Sequence, residues 1–197
     1  MAFSRVLTGL VSLGFALYSG KAAAPPPAGS LHYASVSEWA AETNHTLQIA
    51  VTEAADPELL NQYEDPAWIG TVFAIQDQVW ELMAKMDGQG SFDNLLHRIE
   101  TNDTYRAGFK MILEYNVVPG EALTHADLEA LAAQQLPLLT LLEGQTVGTA
   151  LEGSMVTLIP AGQEIGNVTV LPTPDVFAGN ATVIYLPLIL LPELMPA

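Results

Sequence analysis

Between residues 35 and 134 the apolar positions recur every three or four residues, and from 138 to 191 they come in short runs parted by glycine-bearing breaks. The first pattern predicts helices and the second predicts strands. Ser35-Val-Ser-Glu38 reads as a capping box that opens a short helix over Val36, Trp39 and Ala40. Leu47, Ala50, Val51 and Ala54 follow at helical spacing. Asp56-Pro57 stops that helix and starts another through Leu59 and Leu60, since proline suits a first helical position. Residues 68–74 are apolar and β-rich, which predicts a buried strand. Helix returns over 77–86, with Val79, Trp80, Leu82 and Met83 as its core stripe, and Gly88-Gln-Gly90 breaks it. Ser91 caps a helix carrying Leu95, Leu96 and Ile99, and Asn102 or Asp103 caps the next, over 104–115. Residues 117–120 form a short strand entering a turn, and Thr124-His-Ala-Asp127 is a second capping box, opening a helix to about Gln134. Strands are expected at 138–142, 146–151, 155–159, 168–171 and 183–191, with turns at Glu143-Gly144 and Glu152-Gly153-Ser154. Helices first, one strand among them, then a run of strands is an α+β order. No internal repeat is visible.

Charge narrows the partners. The net charge is −16, from 22 acidic and six basic residues: Arg5, Lys21, Lys85, Arg98, Arg106 and Lys110. Without a basic stripe, such a surface repels nucleic acid and anionic membranes. With no cysteine, disulfide scaffolds, thiol catalysis and cysteine-ligated zinc are excluded. No GxSxG elbow, phosphate-binding loop, GxGxxG or HExxH occurs, and His32, His45, His97 and His125 are scattered. These absences predict a non-enzyme that uses no cofactor.

The N-terminus has the form of a secretory leader: one positive charge within residues 1–5, an apolar stretch over 6–18, then small residues to Ala24. That stretch is too short to span a bilayer, so no stable membrane insertion is expected. The reading is a signal peptide over 1–22, cut between 22 and 24, and a Pro/Ala-rich spacer over 23–34. One domain over 35–193 and a tail over 194–197 complete the chain. Four of the seven asparagines, Asn44, Asn102, Asn167 and Asn180, begin N-x-Thr sequons, so all four are candidate glycosylation sites. Their loop context favours Asn44 and Asn102, with Asn180 the least favoured.

Three blocks, in order, carry a resemblance. Thr71-Val-Phe-Ala-Ile-Gln-Asp77 with Trp80, Leu113-Glu-Tyr-Asn-Val-Val-Pro-Gly120 with Thr124 to Leu128, and the segment from Asn180 to Pro192 are similar to the conserved boxes of the fasciclin (FAS1) domain family. The resemblance spans nearly all of 35–193. It implies N-terminal helices packed on a β-sheet wedge built mainly from the C-terminal strands. The blocks also have physical readings: Val72, Phe73, Leu113 and Val118 are core, and Asp77 is placed to cap the helix that follows it. The terminal apolar run reads as a strand buried on both faces.

In animal relatives, the family's Tyr-His pair is associated with integrin binding. It stands here as Tyr115-Asn116, so the resemblance names these two as candidate binding residues. By residue type alone, Tyr115 is a core aromatic with a satisfied hydroxyl. The expected function is therefore a secreted matrix, cell-wall or cell-surface glycoprotein that binds an extracellular protein or polysaccharide. A carrier of a small apolar ligand or lipid, suggested by the 136–142 and 186–194 apolar segments, is the alternative.

Overall fold

A computed structural model describes residues 29–86, 90–162 and 166–193. The residues read as a leader, the first half of the spacer (23–28), the tail and most of the Gly88–Gly90 break lie outside the described residues. Three helices follow strand β1 (Leu31–Tyr33): α1 (Val36–Glu42), α2 (Thr46–Ala55) and α3 (Pro57–Glu64). Ser35 caps α1 by accepting from Glu38 N–H, while the Glu38 carboxylate reaches back to the Ala34 N–H. Asp56 ends α2 and caps α3 with Pro57 at its first position, as the sequence predicts.

Strand β2 (Gly70–Ile75) is buried at all six positions, and Phe73 is only 1% exposed. Val72, Leu113 and Val118 are buried with it. After β2 come α4 (Asp77–Met86), α5 (Phe92–Thr101), α6 (Asp103–Tyr115), β3 (Val117–Pro119) and α7 (His125–Ala133). Ser91 caps α5, Asn102 caps α6, and Thr124 with Asp127 closes both halves of a capping box on α7. The C-terminal strands are β4 (Leu138–Leu139), β5 (Thr146–Glu152), β6 (Met155–Ile159), β7 (Val168–Thr169), β8 (Val176–Ala178) and β9 (Ala181–Leu186).

Among the described residues the strands form two sheets, in the orders β1-β8-β9-β2-β3 and β4-β5-β6-β7. The first is mixed: β2 runs parallel to β9, with Phe73 opposite Ile184, and antiparallel to β3. Two near-continuous apolar strands side by side are what burial on both faces demands. Their one opposed polar pair, Thr71 and Thr182, is joined by a 3.1 Å hydroxyl hydrogen bond. The second sheet is antiparallel throughout, and α7 lies against β5 and β6. On the other side, α2 is the central helix, touching α1, α3, α4, α5 and α6. The fold is α+β.

Several local expectations are corrected. Asp77 does not cap its own helix. Its carboxylate accepts from Leu47 N–H (3.0 Å) and Thr46 Oγ1 (3.1 Å), capping α2, whose own N-cap His45 makes no such bond. The buried stripe of α2 is Gln48, Val51, Thr52 and Ala55, with Leu47 and Ala54 half-buried. Thr52 is tolerated in that stripe because its hydroxyl bonds to Gln48 O. On α4, Trp80 and Ala84 are buried, whereas Leu82 is 53% exposed. The terminal strand ends at Leu186, because Pro187 has no N–H to continue the ladder. Strands β1 and β8 were not anticipated, and β4 is shorter than the 138–142 run.

Candidate functional site

Tyr115 and Asn116 sit where α6 ends and β3 begins, held in place by that helix-to-strand transition. Tyr115 is 0% exposed. Its hydroxyl donates to Thr146 O at 3.0 Å and accepts from Ala161 N–H at 2.8 Å, so it ties the start of β5 to the loop after β6. Burial raises its pKa, against the lowering effect of the bond from Ala161. Asn116, 4% exposed, donates from Nδ2 to Ile112 O (2.7 Å) and Leu190 O (2.8 Å), while its Oδ1 accepts from Leu190 N–H (3.0 Å). The pair thus joins α6 to three distant segments. In this conformation both side chains lie beneath the surface, spent on internal bonds.

The four sequon asparagines come to different places, and all four side chains are exposed. Asn44 precedes α2 with a positive φ of 57°. Asn102 is the N-cap of α6, its Oδ1 accepting from Tyr105 N–H at 3.0 Å. Asn167 precedes β7. Asn180 lies in the tight turn between β8 and β9, where Gly179 has φ +64° and packs against the Pro66 backbone.

Two open grooves mark the helical side. One, of about 380 Å³, lies between α2, α5 and α6 and is edged by Glu53, Glu100 and Arg106. The other, of about 320 Å³, runs along α6 from Asn102 to Ile112 with Arg98 on its flank, and its lining is mostly apolar. The Arg98 guanidinium lies 4.3 Å from the centre of the Tyr105 ring, and Tyr105 packs on Phe109 at 5.2 Å. No signal in the sequence marks this groove: 105, 109 and 112 recur at helical spacing, and all three do pack on the core, with Phe109 buried.

Three polar clusters have structural roles. Lys110 Nζ lies 2.9 Å from the buried Asp56 carboxylate and 3.5 Å from Glu114. Burial disfavours its charge, but the two carboxylates outweigh that and raise the Lys110 pKa. Burial also lifts Glu114, more than Lys110 lowers it. The His125 ring bridges α7 to the loop before β8, with Nδ1 2.7 Å from Asp175 Oδ1 and Nε2 3.1 Å from Leu171 O. His45 is buried between the Trp39 and Tyr185 rings, at 4.5 and 5.2 Å. Its Nδ1 meets Thr43 Oγ1 at 3.0 Å and its Nε2 meets no partner among the described residues. Burial lowers its pKa, opposed by the Thr43 bond and by Asp77. Among the described residues, no three histidine or carboxylate side chains converge as a metal site, and no helix is long and apolar enough to cross a membrane.

Comparison with known proteins places this architecture. No family profile matches the chain, and no curated protein matches it. A solved structure does: a FAS1 domain pair from the insect cell adhesion molecule fasciclin I, at 16% identity and a TM-score of 0.61. The match covers 82% of this chain and 52% of that one, so the chain spans about half the length of the pair. The likeness rests on backbone course and not on side chains, and what it establishes is that this chain has the FAS1 fold.

Proposed function

We propose that the protein is a secreted or cell-surface glycoprotein that acts in adhesion, binding an extracellular protein or polysaccharide without catalysing a reaction. The observation that carries this reading is the fold, similar to that of a cell adhesion molecule. Supporting it are the leader-like N-terminus and four sequons whose asparagines are all exposed. Tyr115 and Asn116 enter the proposal as positioning residues: they fix the segments around Thr146, Ala161 and Leu190, and a partner meets those segments and not the two side chains. The acidity of the chain makes the partner neutral or basic.

The test is expression of the full chain in a eukaryotic secretory host. The medium is assayed for the protein, for a glycosidase-sensitive mass shift, and for retention on immobilised matrix and cell-wall fractions. Secretion, a mass shift and saturable retention are expected. A protein that stays in the cytosol, or one secreted but retained by no fraction, overturns the reading.

A further inference from the structure

The groove along α6 begins at a sequon. Asn102 and Thr104, the first and third residues of that sequon, are both in its lining, and Tyr105, Phe109 and Ile112 continue it along the helix. At 1.5 Å per residue the stretch from Asn102 to Ile112 is about 15 Å long. Its volume of about 320 Å³ is at the lower end of the roughly 300–1,000 Å³ usual for small-ligand sites.

Gly108, in the middle of α6, supplies an independent observation. Glycine inside a helix is destabilising relative to alanine, and is expected where another group approaches closely. Here no group does: a Cβ built on Gly108 meets no heavy atom within 4 Å. The fold itself therefore gives no steric reason for the glycine, while its missing side chain keeps the middle of the groove open.

The lining has the chemistry of a sugar seat. Pyranose rings present apolar C–H faces, which pack on aromatic and aliphatic side chains, and hydroxyl and acetamido groups, which accept from a guanidinium. Tyr105 and Ile112, both half-buried, offer the first kind of contact, the buried Phe109 showing only an 8% exposed edge, and Arg98 offers the second. The N-cap bond to Tyr105 N–H uses Asn102 Oδ1 and not Nδ2, the atom that carries an N-linked glycan, and Asn102 lines the groove's end.

We propose that the first sugars of an N-linked glycan on Asn102 lie in this groove, packed along α6. The inference rests on the secreted-glycoprotein reading above. The glycan covers the half-buried apolar edge of Tyr105 and Ile112 along α6, so Asn102 differs in kind from Asn44, whose side chain borders neither groove.

The experiment uses the full chain, secreted from a host that adds oligomannose glycans, as wild type, Gly108→Ala and Gly108→Leu. Glycopeptide mass spectrometry gives occupancy at each sequon. Peptide-N-glycosidase then gives the release rate at Asn102 and Asn44 in the native protein, each divided by its rate after denaturation. The expected result is release at Asn102 at least tenfold slower than at Asn44 in the wild type. That protection should be lost in Gly108→Leu, which fills the groove, and retained in Gly108→Ala, which adds one methyl. Both variants replace glycine with a better helix former, so the glycan-free proteins should melt no lower than wild type. Equal release at the two sites, or protection that survives Gly108→Leu, overturns the proposal. An empty Asn102 beside occupied sequons elsewhere overturns it too and leaves the glycoprotein reading standing. Absence of glycan at every sequon overturns that reading as well.

Discussion

Replacing Tyr115 by phenylalanine keeps the ring in its closed site and removes one oxygen. That oxygen stands between Thr146 O and Ala161 N–H, at 3.0 and 2.8 Å, and both backbone groups lose a partner at once. Leaving a buried backbone group unsatisfied costs about 1–3 kcal/mol. Two such losses, one of them relieved by water, amount to about 2–4 kcal/mol. Urea unfolding followed by tryptophan fluorescence is a suitable assay, because Trp39 and Trp80 are buried reporters. With a urea slope of about 2 kcal/mol per M, the midpoint should fall by roughly 1–2 M while the slope is unchanged. The segment at Ala161, released from the Tyr115 hydroxyl, should also become cleavable by a non-specific protease before global unfolding. A loss below about 0.5 kcal/mol, within the range of an ordinary surface change, would refute the view that this hydroxyl pins two segments.

Four further outcomes follow from the same geometry. Asp77→Ala should cost about 1 kcal/mol by uncapping α2, and amide exchange should speed up at Leu47 and not at the start of α4. Lys110→Met should cost about 1–2 kcal/mol, discounted because the ammonium is partly exposed, and Asp56→Asn in the same chain should recover part of it. Gly179→Ala should cost at least the roughly 1–2 kcal/mol of a left-handed residue, because the new Cβ would also lie 2.5 Å from Pro66 O; thermal melting measures it. For His45 the sign is fixed by its lowered folded pKa. The unfolded chain takes up a proton near pH 6.5 and the folded chain resists until lower pH, so stability is full above about 6.5 and declines as pH falls below it. Glu114 and Glu121, raised by burial, act in the opposite direction at lower pH. The measurement is therefore the difference between wild type and His45→Gln, whose stability should decline less between pH 6.5 and 5.

Helix α4 and strand β6 were readable in the sequence to the residue, and so were the caps at Ser35, Asp56, Ser91 and Thr124, because each depends on groups within four positions; the cap of α6 was left between Asn102 and Asp103, and it is Asn102. What could not be read depends on distant partners. Leu31–Tyr33 becomes a strand only because residues 176–178 lie beside it, and three residues show no period of their own. Asp77 opens one helix in sequence and caps another in space. The α6 groove was hidden for the same reason: its lining joins residues of α6 to Arg98 of the preceding helix, a juxtaposition that the spacing within one helix does not show. Tyr115 was readable as a buried aromatic, whereas its bonding partners, 31 and 46 residues away, were not.

The pairing of β2 with β9 bears on how the chain is made. Ile75 is opposite Leu186, so the central strand waits for a neighbour that is synthesised about 110 residues later. At about 5–20 residues per second, that wait is on the order of 6–20 s. During it α1–α6 can form, but the sheet on which they pack lacks its middle. Contacts this distant in sequence slow folding and leave apolar strands uncovered while they form. A nascent chain ending anywhere before residue 181 is thus a client for chaperones and not a smaller domain. The commitment to fold comes late, when the last strand slides in beside the first long one.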